Sequence, residues 1–478
     1  MRFAALMLIA GTLAGCARNP ATGHNELMLV SESQEIQMGQ QYDSQVVATI
    51  GLYPDPALQA YVQALGTRLA ATSERPKLPW TFRVVDDPAV NAFAVPGGFI
   101  YVTRGILAHM TNEAQLATVI GHEIGHVTAR HTAAQMSKEQ LATLGLVVGS
   151  IASQRVAQYA GAASQALSVL FLKFSRDNEN QADELGVRYS SRANFDSREM
   201  ANVMRLLDKI SGENGGRLPE WLATHPNPGN RLEHINSMVS KMQTDFTGST
   251  VNRAGYERRL DGIMFGMNPR EGFFKGNVFY HPDLRFSLSF PSGWQVMNGK
   301  QAVAAQSSQQ DAIIELTLSD GSNADQAARA FLSTEGIQAG TLTRGNVNGL
   351  SASAAPFAAA TEGGTLRGSA VFVEYSNRVY RLLAYSPEAR WSNYQSMAQQ
   401  TLTSFRPVND PAILNVQPQH LTVFTLDRRM TIADLARQRP SPAPAATLAL
   451  INQVEENTPL ESGRIVKWVV GQQLPVTP

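Results

Sequence analysis

Gly121-His122-Glu123-Ile124-Gly125-His126 lies within a run from Asn112 to Gln135 that reads as one helix. On a helix, residues four apart share a face, with Cβ atoms about 5–6 Å apart, so His122 and His126 can grip one metal ion together. Glu123, one step on from His122, points beside that ion rather than at it. The chain holds 9 His and 40 Asp plus Glu, and this pattern would arise by chance in about one such chain in a hundred. Its flanks support the reading. Ala114, Leu116, Ala117, Val119 and Ile120 supply apolar positions for a buried helix, which a rigid metal platform requires.

Two imidazoles and an adjacent glutamate in this spacing are the HExxH arrangement of zinc peptidases, in which the glutamate takes a proton from zinc-bound water. A catalytic zinc takes three protein ligands and leaves a position for water. The polar helix start Ser175-Arg176-Asp177-Asn178-Glu179-Asn180-Gln181-Ala182-Asp183 offers Glu179 as the third ligand. Asp183, four residues on, shares its face and could accept the N–H of a ligand histidine, fixing its tautomer.

The segments Asn91-Ala92-Phe93-Ala94, His122 to His126 and Glu179 to Asp183, in that order, resemble the zinc metalloendopeptidases that include the CAAX prenyl proteases and the mitochondrial Oma-type proteases. The chain resembles in particular the soluble bacterial members, among them the periplasmic β-barrel-assembly-enhancing proteases. The resemblance spans about residues 19 to 270. It implies one Zn2+ per chain on His122, His126 and Glu179, with Glu123 as general base. It extends to Thr224-His225-Pro226 and Arg231. In a loop held by Pro226 and Pro228, His225 moves more freely than a helical residue; it either steadies the developing oxyanion or fills the fourth zinc position and holds the enzyme inactive. Arg231 either stabilises the same charge or clamps acidic neighbours. His131, five residues beyond His126, falls off the metal face of a continuous helix, which gives it a structural role.

Strands are expected over Trp80–Val85, Asn91–Val95 and Phe99–Thr103. The strand at Asn91, Ala92, Phe93 and Ala94 is read as an edge that pairs with an extended substrate over the metal, against the plainer reading of a hairpin that only builds the sheet. Ser31 with Gln34 forms a capping box for a helix to about Ile50, and Asp55-Pro56 opens another with Leu58, Val62, Leu65 and Leu69 on one stripe. Leu141–Ser153 and Ala157–Phe174 are apolar but too short to span a bilayer, which takes about 20 residues. They read as packed helices or as a lid.

At the start, Arg2 and the apolar Phe3–Leu13 precede Leu13-Ala14-Gly15-Cys16, which resembles the lipobox of bacterial lipoproteins. Cys16 is the chain's one cysteine. A lipidated Cys16, followed by Ala17, implies tethering to the periplasmic face of the outer membrane. Lys+Arg and Asp+Glu number 40 each in 478 residues, so no global field points to nucleic acid.

The expected architecture is α+β. A leader (1–15) precedes a mainly helical, zincin-like (gluzincin) metallopeptidase domain with a small sheet (16–270). An α/β accessory domain (271–410) follows, and then a βααβ tail (419–470). The tail resembles a LysM domain, a peptidoglycan-binding unit, but departs from it at Arg428-Arg429-Met430-Thr431 and at Pro440–Pro444. The function implied is a lipid-anchored endopeptidase that cuts unfolded or stalled envelope proteins beside the outer-membrane assembly machinery. The alternative is an envelope assembly chaperone or scaffold with a structural or silenced zinc site.

Overall fold

The computed structural model describes residues 16–137, 174–213, 221, 225, 231–242, 244–361 and 364–472. The leader 1–15, the apolar stretches 141–153 and nearly all of 157–174, and Thr224, Pro226 and Pro228 lie outside the described residues. The chain divides into two units, one including Ala157–Met267 and Gln419–Gly471, the other including Asn268–Pro418.

In the first unit, α1 (Glu32–Thr49) opens on a capping box at Ser31, whose hydroxyl accepts from the Gln34 amide. Helix α2 (Pro56–Ala70) opens on Asp55, whose carboxylate accepts from the Ala57 and Leu58 amides. It buries Leu58, Val62, Leu65 and Leu69, worth about 1.5–3 kcal/mol for each fully buried side chain. Strands β1 (Thr81–Val85), β2 (Ala92–Val95) and β3 (Phe99–Thr103) form a sheet in the order β1-β3-β2, with β1 parallel and β2 antiparallel to β3. Among the described residues β2 therefore pairs on one side only.

The short α3 (Arg104–His109) leads into the motif helix α4 (Glu113–Thr128), capped by the Asn112 side chain. Every residue of α4 from Ala114 on is buried. The sequence suggests one helix to Gln135, but the structure breaks it: Ala129 caps α4, Arg130 takes a left-handed φ of 59°, and residues 131–137 begin a new helical segment. Helices α5 (Arg176–Arg192), α6 (Glu199–Glu213) and α7 (Arg231–Lys241) complete the helical layer.

Two segments read as appendages are built into this unit. Cys16–Arg18 pairs with Asn25–Leu27, and the buried Asn19 amide donates to the Ala129 carbonyl at 3.1 Å, so the stretch that follows Cys16 docks on the end of α4. The tail forms its strands and helices near the expected places, Gln419–Thr425, Ile432–Gln438, Ala445–Ile451 and Ile465–Val470. Yet Leu421, Ile432, Leu448, Val466 and Trp468 share one hydrophobic cluster with Ile106, Leu116 and Val119. The buried Lys467 donates to the carbonyls of Ala108 (2.7 Å) and Met110 (2.5 Å), just ahead of the motif helix.

The second unit is built on an eight-stranded sheet and a four-stranded one. Every pairing in them is antiparallel, so this unit is α+β rather than the α/β domain expected. Val371 and Val373 point into one hydrophobic cluster, Ala370 and Phe372 into another, the alternation of a strand covered on both faces.

Candidate metal centre

Helices α4 and α5 carry the central residues, and they cross at glycine. A Cβ on Gly121 would lie 2.9 Å from the Gly186 carbonyl oxygen, and one on Gly186 would lie 2.9 Å from the His122 amide nitrogen. Only backbone against backbone brings the helices this close. That approach sets Glu179 of α5 against His122 and His126 of α4.

Four buried side chains converge there: His122, His126, Glu179 and His225, with one donor atom from each within 4.8 Å of all the others. His126 Nε2 is 3.0 Å from His122 Nε2, and His225 Nδ1 is 3.3 Å from His122 Nε2 and 3.1 Å from Glu179 Oε1. The Glu179 oxygens lie 3.5 Å from His126 Nε2 and 3.6 Å from His122 Nε2. Bonds of about 2.0–2.1 Å to a tetrahedral zinc require donors about 3.3–3.4 Å apart, so this set fits. The chemistry fits as well. Burial lowers His122 and His126 and takes His225 down to about 4, so all three rings are neutral at pH 7 with lone pairs to give. Glu179 Oε2 is buried without a hydrogen bond of good geometry, although Arg231 Nη1 stands 3.2 Å away.

Asp183 sits behind His122, its Oδ1 2.9 Å from His122 Nδ1, which leaves Nε2 free for a metal. Arg231, fully buried, donates to both Asp183 oxygens at 2.7 Å. Its guanidinium is thus spread over Asp183 and Glu179. Burial alone would raise Asp183, but the Arg231 charge and the hydrogen bonds from His122 and Arg231 hold it well below the usual carboxylate range.

Glu123 is 1% exposed, and burial pushes its carboxyl up to about 7. Its Oε1 accepts from Trp221 Nε1 at 3.2 Å and lies 3.6 Å from His225 Nε2. Trp221, outside every motif of the sequence, completes this corner of the site. It stacks on His225 with ring centroids 5.0 Å apart and an interplanar angle of 28°, and the His225 amide donates to its carbonyl at 2.8 Å. A tryptophan one helical turn before a candidate histidine was the available signal. Rather than standing free in a loop, His225 is 2% exposed and packed between Trp221 and the other donors. Phe174 stacks on His126 at 4.1 Å. Of the strand residues, Asn91, Ala92 and Phe93 are buried and Ala94 is half-buried.

A buried His-His-Glu-His cluster with a carboxyl of raised pKa at its edge is a donor set of the kind that holds a metal ion in HExxH sites. Residues 56–239 match the model described as Peptidase family M48. The chain is 33% identical over 252 residues to the beta-barrel assembly-enhancing protease of Yersinia pestis, covering 51% of this chain and 52% of that protein. It is 33% identical over 234 residues to the protein of that name from Escherichia coli (strain K12), covering 47% of each. Over 177 residues it is 38% identical to the mitochondrial metalloendopeptidase OMA1 of Arabidopsis thaliana, covering 36% of this chain and 34% of that protein. The likeness to peptidase family M48 is carried by residues 56–239. It spans about half the length of the bacterial relatives it matches.

Proposed function

We propose that this chain is a zinc-dependent endopeptidase of the bacterial envelope that cuts unfolded or misassembled envelope proteins. The observation that carries this reading is the convergence of His122, His126 and Glu179 beside Glu123, all buried. Zinc, when bound by these three, supplies Lewis-acid polarisation of the scissile carbonyl and lowers the pKa of water toward about 7. Glu123 takes the attacking water's proton and delivers it to the leaving amine nitrogen, work suited to a carboxyl near 7. The one-sided pairing of β2 supports docking of an extended substrate along Asn91–Ala94.

His225 fills the fourth position in this reading and gates the site. Its Nδ1 stands among the other donors at 3.1 and 3.3 Å, where the entering water or carbonyl must come. The same closure favours a second reading, an assembly chaperone or scaffold with a silenced zinc site. Anchoring through lipidated Cys16 to the periplasmic face of the outer membrane rests on Leu13-Ala14-Gly15-Cys16, and contact with the outer-membrane assembly machinery rests on the names of the bacterial relatives. Peptidoglycan binding rests on the LysM-like order of the tail alone.

The test is zinc content alongside casein cleavage for wild type and His225→Ala. One zinc per chain with cleavage rising in His225→Ala supports the gated protease. Zinc in both with cleavage in neither supports the silenced scaffold.

A further inference from the structure

The two histidines of α4 are held from behind by different partners. His122 Nδ1 faces the Asp183 carboxylate, whereas His126 Nδ1 lies 2.9 Å from Nδ1 of His131, a residue that a continuous helix would carry away from it. The break at Arg130 reverses that expectation. Its left-handed backbone turns the chain so that the His131 ring meets the His126 ring edge-on, with centroids 4.9 Å apart and planes at 76°. The turn is pinned from α1 and the chain just ahead of it: Arg130 Nε donates to Glu35 Oε1 at 2.9 Å and its Nη2 to the Val30 carbonyl at 2.6 Å. Arg75 pins it from the other side, donating to Glu35 Oε2 at 2.7 Å and to the Val127 carbonyl at 2.9 Å. A non-glycine residue persists in this conformation only where its surroundings hold it.

The protons in this chain run one way. His131 Nε2 is 2.7 Å from Gln181 Oε1, an oxygen that can only accept, so Nε2 carries the hydrogen. In that tautomer the His131 Nδ1 carries the lone pair, and His126 Nδ1 donates to it. That leaves the lone pair of His126 on Nε2, facing His122 and Glu179. The opposite amide orientation of Gln181 would reverse the chain and place a hydrogen on His126 Nε2, which excludes ligation.

We propose that His131, backed by Gln181, is the positioning residue that fixes the tautomer and ring orientation of His126 toward the metal. This rests on the metal-site reading above. Outer partners of ligand histidines typically change metal affinity 10- to 100-fold when removed.

The test is zinc affinity by chelator competition on the purified full chain in detergent, with the visible spectrum of the cobalt-substituted protein as a second readout. His131→Phe keeps the ring shape and removes the acceptor; it should bind zinc about 10- to 100-fold more weakly and alter the cobalt bands. His131→Gln restores an acceptor oxygen and should return affinity to within about threefold of wild type. Gln181→Leu should weaken binding by a lesser factor, and it tests the relay even where His131→Phe fails to fold. Wild-type affinity in both His131→Phe and Gln181→Leu overturns the proposal. So does His131→Gln losing as much as His131→Phe while the metal-free proteins melt together. A wild type that binds no zinc at all refutes the metal site itself, and the relay with it.

Discussion

Replacing Arg231 by Met should be among the most damaging single changes in the first unit. The side chains of Arg231 and Asp183 are both fully buried and joined by two hydrogen bonds of 2.7 Å. Taking away one partner leaves an uncompensated buried charge, which costs about 3–5 kcal/mol. For a unit of this size each kcal/mol moves the melting temperature by about 2–4 °C, so a fall of about 6–20 °C is expected. The pH dependence follows from the sign of the shift. Asp183 is held below its unfolded value of about 4, so its contribution is present above that pH and is lost as the pH falls through the folded value. In Arg231→Met burial is opposed only by the His122 contact, so Asp183 rises. The variant's deficit should therefore be large at pH 8 and shrink toward pH 5, as protonation discharges Asp183. Adding Asp183→Asn should recover much of the lost stability without restoring zinc affinity, since His122 then faces a weaker acceptor. Thermal melts of the four proteins of this cycle at both pH values make the test. A drop under about 2 °C, or one equal at pH 5 and pH 8, would refute the clamp.

Gly186→Ala places a methyl 2.9 Å from the His122 amide nitrogen, so α5 must back away from α4; a loss of about 1–3 kcal/mol in denaturant melts, with weakened zinc binding, is expected. Trp221→Phe keeps a ring on His225 but removes the N–H that Glu123 accepts at 3.2 Å. Losing a donor to the charged form raises the Glu123 pKa, so the acid limb of the cleavage profile, recorded in a His225→Ala background, should move to higher pH. Deleting 419–478 should destabilise the peptidase unit rather than merely remove a binding module, because Lys467 and Trp468 are buried in its core. A truncated protein that melts with the full chain would show the tail to be separable. In the intact chain, Gln453→Ala should cost about 1–3 kcal/mol, since it strips partners from the His109 carbonyl and the buried Gln115 amide.

His122 and His126 were legible because their spacing is helical, whereas the roles of Glu179 and His225 rested on the family resemblance. His122 and His126 are one turn apart, Glu179 and Asp183 another turn apart, and local geometry alone fixes which face each presents. What escaped depends on contacts distant in sequence. The left-handed Arg130 is set by Glu35 and Arg75, so helix periodicity kept His131 off the metal but could not place it behind His126. Trp221 acquires its place only when Glu123, 98 residues earlier, comes to its indole nitrogen. The tail showed its strand and helix pattern plainly, but no pattern within residues 419–470 announces that their apolar faces are completed by α3 and α4. In the second unit the α/β expectation failed because strand patterning carries no signal of pairing direction, and every pairing in its two sheets is antiparallel.

The account stands most directly on the proton-accepting role of Glu123. The measurement is casein cleavage and bound zinc for Glu123→Gln placed in the His225→Ala background, beside His225→Ala alone. One zinc per chain in both, with cleavage about 10²- to 10⁴-fold slower when Glu123 is changed, is the predicted result. Equal cleavage rates in the two proteins would contradict it.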